Sequence, residues 1–436
     1  MRTILVLLIL FGVVFAREVA LKEVIDLATK NSPLIKSAQR ELKAQELELR
    51  ASKGALFPRF KVEETFTRTD MPAYAFMSKL NQERIGLQDF NPTNLNNPKA
   101  INNFETKFTI EVPIWLGGKV QSAQKMAEYE YRAVGFEVER REEEVIRQVY
   151  NAYMDAVLAK ESIKVAKQAV ENAQEHLKLA EQMYAVGLAL LSDVLRARVY
   201  LSKAEENLQK AIRGYDVVKR GLEVVVGVSL GDFEVQEVGQ CPQINISTLK
   251  ERVQNRGDIK ALEERLKTLE EAYRFTLSDN LPQVFAFAQY FLNSKDYPLG
   301  ADGKGYLAGI GVSWTFDTGL TTLRRAQANL ERRASLQERL KLLKDSAVFD
   351  LDRSYAEYEN ALDMLRSAEE RIKSSQEVLR VMELRYRNGL ARMVDILDVQ
   401  TELDKARLEK VQAMNACHKA YMDILYNAGF VEEVRR

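Results

Sequence analysis

The amino-acid sequence predicts a mainly α-helical fold with a smaller β-barrel portion, arranged as two structural repeats. Three observations predict this fold class. Matching residues recur at constant spacing in the two halves of the chain. Two long stretches without proline carry the three- and four-residue spacing of packed helices. Several short segments alternate between apolar and polar side chains, as strands do.

Bulk composition favours an elongated molecule built from solvated helices. The 436 residues include 63 Lys and Arg, 63 Asp and Glu, and only 9 Pro. The basic residues are interleaved with acidic ones, so the chain offers no general attraction for nucleic acid. Length alone would also allow about two or three ordinary domains.

Residues 1–16 predict a signal peptide. Arg2 precedes an apolar run over residues 4–14, and Ala16 stands before the polar Arg17. The run is shorter than the roughly 18 residues that a membrane-spanning helix needs. We therefore expect an exported protein that is cleaved after Ala16.

Two sets of matching residues define the repeats. The first set has an offset of 224 residues, with Asn31, Ile35, Lys36, Leu42, Lys43, Glu46 and Pro58 recurring as Asn255, Ile259, Lys260, Leu266, Lys267, Glu270 and Pro282. The second set has an offset of 202 residues, with Tyr184, Gly187, Leu188, Asp193, Leu195, Leu201, Lys203 and Ala204 recurring as Tyr386, Gly389, Leu390, Asp395, Leu397, Leu403, Lys405 and Ala406. The difference, 224 − 202 = 22, predicts an insertion of 22 residues in the first half.

The repeats set the expected domain organisation. The chain divides into a first repeat over 17–230, an inter-repeat linker over 231–248, a second repeat over 249–428 and a C-terminal tail over 429–436. Each repeat reads as a helix, a β-hairpin, a very long helix and a return helix. The last three elements are expected at 59–113, 118–185 and 190–227 in the first repeat, and at 283–316, 319–387 and 392–428 in the second.

A seam of apolar and small residues runs along each long helix. In the first helix it consists of Val149, Tyr153, Ala156, Ile163, Ala166, Val170, Ala173, Leu177, Ala180 and Tyr184. In the second it consists of Leu351, Tyr355, Tyr358, Leu362, Leu365, Ala368, Ile372, Ser375, Leu379, Met382 and Tyr386. This spacing is typical of antiparallel coiled-coil helices, and also of a spacer or scaffold coiled coil.

Three of the four predicted strands are apolar on one face and charged or small on the other. The apolar sets are Phe60, Val62 and Phe66; Phe104, Phe108, Ile110 and Val112; and Tyr306, Ala308, Ile310, Val312 and Trp314. The strand over residues 283–292 is apolar on both faces. Strands of about 10 residues suit a tilted bilayer span, although a soluble sheet with one wet face alternates in the same way.

Four strands leave two unpaired edges, and lipid offers no partner for the edge N–H and C=O groups. If these strands cross a membrane, several chains must share one barrel. The connections over residues 70–102 and 293–305 are rich in Asn, Pro or Gly, and we expect both to be exposed loops.

Two pairs of motifs at matching places carry a family resemblance. They are YAVGLALLSDVL at 184–195 with YRNGLARMVDILD at 386–398, and VPIWLGG at 112–118 with VSWTFDTG at 312–319. With these motifs the chain resembles the TolC-like outer-membrane efflux protein family over essentially its whole mature length. The resemblance implies a homotrimer in the outer membrane, with a shared 12-stranded transmembrane barrel in lipid and a periplasmic α-barrel of long antiparallel helices. It further implies an exit duct that works with a periplasmic adaptor protein and an inner-membrane pump.

The resemblance also assigns candidate sites. The adaptor-docking tips would be Val186, Gly187 and Leu188 in the first hairpin and Asn388, Gly389 and Leu390 in the second. The periplasmic gate would be formed by Asp395 and Asp398, with Tyr386 and Asp193 as a tether pair and Arg392 beside the position where the family often has an Arg. The alternative is that these Asp residues only solvate a helix start. The family places the regions of Cys241 and Cys417 in one belt, and whether these two cysteines pair is left open.

No enzymatic chemistry is expected. The only histidines are His176 and His418, and the sequence has no nucleophile motif and no phosphate-binding glycine loop. We expect no cofactor and no metal site. The alternative to a channel is a periplasmic coiled-coil adaptor or scaffold, and the sequence leaves open whether drugs, metal ions or polypeptides would be the cargo.

Overall fold

The computed structural model describes residues 17–435, so the predicted signal peptide over residues 1–16 lies outside the described residues. In the described part the helices are α1 (Leu21–Asn31), α2 (Pro33–Lys53), α3 (Pro72–Asn81), α4 (Pro92–Asn96), α5 (Lys119–Ala185), α6 (Leu191–Val226), α7 (Ile246–Lys250), α8 (Gly257–Leu277), α9 (Thr321–Arg387) and α10 (Met393–Asn427). The strands are β1 (Arg17–Val19), β2 (Arg59–Thr69), β3 (Ile101–Trp115), β4 (Phe233–Val235), β5 (Gln283–Ser294) and β6 (Gly303–Ser313).

The chain folds into two compact units. The helical unit contains the described residues up to Leu42, Gly135–Ala261 and the residues from Leu340 onward. The sheet unit contains Lys43–Val134 and Leu262–Arg339. The two repeats of the sequence contribute to both units, because each repeat supplies one hairpin to the sheet and helices to the helical unit.

The sheet unit is organised by one antiparallel four-stranded sheet with the order β2-β3-β5-β6. Its register aligns the apolar faces that the sequence predicted separately for β2, β3 and β6. One row across the sheet is formed by Val62, Phe108, Tyr290 and Tyr306, which are paired in turn. These four side chains therefore lie on one face of the sheet, since directly paired residues point the same way. In the isolated protomer this apolar face is exposed, with Tyr306 83% accessible.

Strand β5 is apolar on both faces because its second face packs against glycines. Phe285 pairs with Gly311 and Phe287 pairs with Gly309. The position that a Cβ would take at Gly311 lies within 3.0 Å of the Phe285 ring, and at Gly309 within 3.2 Å of the Phe287 ring. The aromatic side chains of β5 thus occupy the space left by the glycines of β6.

The connection between β2 and β3, expected to be an exposed loop, is in fact partly helical. It contains α3, α4 and a short 3-10 turn at Leu87–Phe90. Phe76 and Phe90 pack edge to face with ring centroids 5.8 Å apart, and Lys79 forms an ion pair with Asp89 at 2.5 Å. Composition indicated a loop because Asn and Pro are frequent in loops, but here Pro72 and Pro92 begin helices.

The helical unit has its main core where α1, α5, α6 and α10 meet. Val149, Tyr153 and Ala156, which the seam of the first long helix predicted to be buried, are at most 1% exposed. Leu351 and Tyr358 of the second seam are also buried. The seam prediction is wrong at Tyr184, which is 47% exposed.

The inter-repeat linker is not an unstructured connection. Strand β4 within it pairs in parallel with β1, with Arg17 opposite Phe233 and Val19 opposite Val235. The Tyr153 hydroxyl fixes this pair, since it donates to the Val19 carbonyl at 2.8 Å and accepts from the Gln236 N–H at 3.0 Å. Short strands of this kind have no periodicity that sequence reasoning could detect.

Candidate functional site

The two helical hairpins end in turns of the same geometry. Gly187 and Gly389 have φ values of 80° and 72°, the left-handed conformation that favours glycine. In the first turn the Leu188 N–H donates to the Met183 carbonyl at 2.9 Å, and in the second the Leu390 N–H donates to the Arg385 carbonyl at 2.9 Å. These bonds satisfy carbonyls that the ending helix leaves free.

The turns expose apolar side chains. Val186 and Leu188 of the first turn are more than half exposed, and Leu390 of the second is 77% exposed. Space around the two turn glycines is open, with no atom within 4 Å of the position that a Cβ would take at either one. The predicted tip residues thus lie on accessible surfaces of the helical unit. Asn388 adds a polar contact, since its amide donates to the Leu384 carbonyl at 2.7 Å.

Asp193 and Asp395 occupy equivalent positions, as the third residue of each return helix. The Asp395 carboxylate accepts from the Arg392 N–H at 2.9 Å, and the Asp193 carboxylate from the Leu190 N–H at 3.5 Å. Each carboxylate therefore serves one of the N–H groups that a helix start leaves unpaired. At Asp395 this contact is one of the two roles that the sequence left open.

Asp395 is also paired with a cation of its own chain. The Arg392 guanidinium lies 3.1 Å from the Asp395 carboxylate. The hydrogen bond from Arg392 holds the pKa of Asp395 below its ordinary value. Asp398 lies one turn further along α10 and is exposed, so the two carboxylates share one side of the helix start but differ in their surroundings.

Tyr386 is packed into the core of the hairpins. It is 3% exposed and lies in a cluster with Met183, Val194 and Ile396. Its buried hydroxyl has no hydrogen-bond partner among the described residues. Burial raises the pKa of Tyr386 to about 12, and the negative charge of Asp193 adds to this shift. Asp193 precedes Val194 of the same cluster, so its backbone lies beside the packed Tyr386, and the Tyr386 hydroxyl is not hydrogen-bonded to it.

A buried polar chain links three of the four hairpin helices. The His176 ring lies 3.1 Å from the Gln400 side-chain oxygen, and the Gln400 amide donates to Asp404 at 2.8 Å. The Tyr200 hydroxyl donates to the other oxygen of Asp404 at 2.9 Å. Burial raises the pKa of Asp404 above its ordinary value. Sequence reasoning missed this chain, although polar residues facing a helical seam are its signal.

The two cysteines are joined by a disulfide, with Cα atoms 6.0 Å apart. The bond ties the linker at Cys241 to α10 at Cys417. Next to it, His418 contacts the Gly239 carbonyl at 3.1 Å and the Tyr150 hydroxyl at 3.3 Å. The pairing that the sequence left open is thus present, and it anchors the linker onto the helical core.

Along residues 17–435, no helix combines the length and the apolar character that crossing a bilayer requires. In the same described range, no group of three or more His, Cys, Asp or Glu side chains could hold a metal ion. The apolar face described above belongs to a sheet whose edge strands β2 and β6 each pair on one side only.

Comparison with known proteins gives a family and a fold. A model of the outer membrane efflux protein family matches residues 24–227 and 248–426. The chain is 28% identical to the outer membrane protein TolC of Escherichia coli K12 over 145 residues, 33% of this chain and 29% of TolC. It is 21% identical to the outer membrane protein OprJ of Pseudomonas aeruginosa over 403 residues, 88% of this chain and 79% of OprJ. The match to TolC thus spans less than a third of that protein.

Solved structures are similar over nearly the whole chain. A crystal structure of CusC superimposes with a TM-score of 0.82 at 14% identity, covering 95% of this chain and 93% of CusC. The outer membrane protein VceC of Vibrio cholerae superimposes with a TM-score of 0.77 at 16% identity, covering 94% of this chain and 96% of VceC. At such identities the similarity establishes the fold.

Proposed function

The chain belongs to the outer membrane efflux protein family, and from this membership we propose that it is the outer-membrane exit channel of a tripartite efflux or type I secretion system. In this role it receives substrates from an inner-membrane pump through a periplasmic adaptor and releases them outside the cell. The family resemblance and the fold class predicted from the sequence are confirmed.

The observation that carries the proposal is the open sheet with one apolar face. Strands β2 and β6 each have a free edge, and the row from Val62 to Tyr306 would face lipid. Free edges cannot persist in lipid, because each unpaired N–H or C=O group costs several kcal/mol there. Three copies, each giving four strands, would close a barrel of 12 strands and leave no edge.

The oligomeric state in detergent tests the shared barrel. Native mass spectrometry of the purified protein should give three chains per particle. Proline substitutions on β2 sharpen the test, because neighbouring N–H groups of an edge strand point alternately to its partner strand and to the free edge. Val62→Pro and Glu63→Pro remove N–H groups that point in opposite directions. One of them removes an N–H of the free edge and should dissociate the trimer. The other removes an N–H that faces β3 and should disturb the protomer's own sheet. A folded monomer in the parent preparation would rule out the shared barrel.

We infer that the tips formed by Val186, Gly187 and Leu188 and by Asn388, Gly389 and Leu390 dock the adaptor. Exposed apolar side chains on an otherwise charged helical unit support this role, since such patches mark interaction sites. Replacing Leu188 and Leu390 by Glu should abolish cross-linking to the adaptor in cells, while Leu384→Glu, at an exposed position before the second turn, serves as the matched control. Unchanged adaptor cross-linking would place the docking surface elsewhere.

We propose that Asp395 and Asp398 form the narrow part of the periplasmic mouth. In a trimer they would supply six carboxylates, a ring that favours cations. Since Asp395 also serves the start of α10 and pairs with Arg392, its charge must be removed without losing the acceptor. Asp395→Asn with Asp398→Asn should therefore lower cation selectivity and divalent block in planar bilayers. If the double variant keeps both properties, the carboxylates only solvate the helix start.

We propose further that Tyr386 and Asp193 tether the closed state. The Tyr386 hydroxyl is buried and has no hydrogen-bond partner among residues 17–435. The negative charge of Asp193 raises the pKa of Tyr386, and the Asp193 carboxylate accepts a long hydrogen bond of 3.5 Å from the Leu190 N–H. A hydrogen bond to Asp193 in the closed trimer would give the hydroxyl an ionised acceptor. The opening of the hairpins would break that bond.

A further inference from the structure

The connection between β2 and β3 is anchored on the sheet by a chain of buried amides. The Gln82 amide donates to the Asn103 side chain and to the Asn102 carbonyl, both at 2.8 Å. The Asn103 amide in turn donates to the Asn293 side-chain oxygen at 2.9 Å. Gln82, Asn103 and Asn293 are 1%, 6% and 3% exposed. Buried amides that bond to one another in this way fix the connection against β3 and β5.

These contacts lie on the polar face of the sheet. Asn293 is paired with Glu105 and with Gly303, and Asn103 is two residues from Glu105 on the same strand. Because paired residues and residues two apart point the same way, all of them face away from the apolar row that contains Val62. The carbonyl of Asn81 fills the place where Gly303 would carry a Cβ. The end of α3 therefore crosses over the polar face as far as β6.

The side of α3 that faces away from this anchor is apolar and uncovered. Tyr74, Met77 and Leu80 are 64%, 50% and 47% exposed, whereas Ala75 on the other side is fully buried. Their three-residue spacing places them along one side of the helix. Leu87, just after the helix, is also almost fully exposed.

We propose that this side of α3 is an interface between copies of the chain, at which three α3 helices meet and seal the outer mouth of the barrel. The inference rests on the proposed trimeric channel. In such a barrel the polar face lines the lumen, so the uncovered side of α3 points toward the axis and the other two copies. Strand β2 follows α2 and strand β3 precedes α5, so the connection joins the two strand ends that are furthest along the sheet from these helices.

The dimensions of a 12-stranded barrel support the seal. Twelve strands about 4.8 Å apart, tilted by about 40°, give a circumference of about 75 Å and a diameter of about 24 Å. A helix with its side chains is about 10 Å thick. Three such helices on the wall would reach the axis from all sides. Water would otherwise contact their apolar sides, at a cost of about 25 cal/mol per Å² of apolar surface left exposed.

Cross-linking through a new cysteine tests this contact in the trimer. The chain's own two cysteines are bonded to each other, so Met77→Cys introduces one free thiol per chain. A short bis-maleimide should join two Met77→Cys chains, giving a covalent dimer on a denaturing gel. Val62→Cys is the matched control, because it lies on the opposite face of the sheet and should not cross-link. Trimers of Met77→Cys without the covalent dimer would overturn the seal.

Access from outside the cell gives a second readout that the periplasmic gate does not affect. Glu111 lies on the polar face of β3 near its other end, and Glu111→Cys should react slowly with a polymer-linked maleimide added to intact cells. Adding Tyr74→Glu and Met77→Glu places repelling charges at the proposed contact, and labelling should become fast. An unchanged labelling rate in a trimeric preparation would contradict the seal alone. Loss of the trimer in the parent protein would instead contradict the proposed function.

Discussion

Replacing Tyr386 by Phe removes one hydroxyl from the interior of the hairpins and leaves the aromatic ring in place. If the hydroxyl is bonded to Asp193 in the closed channel, the loss of a bond to an ionised acceptor costs the closed state about 1.5–3 kcal/mol. Since about 1.4 kcal/mol corresponds to a factor of ten, the closed state should become roughly 10- to 150-fold less favoured per protomer. The open probability in planar bilayers should rise accordingly, when it is recorded with Tyr74→Glu and Met77→Glu present in both proteins so that the α3 contact does not limit the current.

The repeat supplies a matched control for this experiment. Tyr184 is the equivalent residue of the first repeat, but it is 47% exposed while Tyr386 is 3% exposed. Tyr184→Phe should therefore leave the open probability unchanged. The tether is refuted if Tyr386→Phe keeps the open probability of the parent and the same or a higher thermal stability, because the substitution would then have removed only an unpaired buried hydroxyl.

The same bond has a defined pH dependence. The pKa of Tyr386 is raised from an ordinary value of 10.0 to about 12, so the folded state holds the proton more tightly than the unfolded state. The contribution of the neutral hydroxyl is then fully present below pH 10 and is lost as the pH rises through about 12. Between pH 7 and pH 9.5 the hydroxyl keeps its proton. The open probabilities of the parent and of Tyr386→Phe should therefore show the same pH dependence over this range.

Three further perturbations follow from named contacts. Gly389→Val should lower the folding stability by about 1–2 kcal/mol through its positive φ alone, since no atom lies near its Cβ position. Gly389→Asn should lower it less, and thermal melting of the two variants measures the difference. Cys241→Ser with Cys417→Ser opens a loop of 176 residues and should lower the free energy of unfolding by up to about 5 kcal/mol. Reductant should lower the melting temperature of the parent, and it should leave that of the double variant unchanged. Gly311→Val should reduce the β-structure measured by circular dichroism, because the new side chain would displace the Phe285 ring. Gly305→Val should not, because the space around Gly305 is open.

Much of the fold could be predicted because its signals are local. The long helices begin and end within about two residues of the expected bounds, since glycine turns and helical periodicity are written in adjacent residues. The faces of β2, β3 and β6 were likewise evident from alternation. For β5 the sequence showed only that both faces are apolar, and not what the second face packs against, because that depends on Gly309 and Gly311 of another strand.

The candidate site shows where local reasoning stops. Tyr184 and Tyr386 occupy the same place in two matching motifs, yet only Tyr386 is buried, because burial depends on which helices pack against each turn. That Asp395 accepts from the Arg392 N–H could not be read from the sequence, because an Asp at a helix start can serve the helix, face the axis of a trimer, or do both. In the sequence, His176 is only a polar residue beside an apolar seam. The packing of the helices brings it to Gln400, and that packing cannot be read from neighbouring residues.

Three copies of this chain are expected to form one conducting pore across the outer membrane. The most direct test is the single-channel current of the purified protein in planar bilayers, recorded separately for the trimeric and monomeric fractions from the same detergent preparation. Discrete steps of one size are expected from the trimeric fraction once Tyr74→Glu and Met77→Glu have opened the α3 contact at the outer mouth, and none from the monomeric fraction. Folded trimers of that variant that insert but carry no current, even with Tyr386→Phe added, or steps of the same size from single chains, would show that three copies do not form a shared pore.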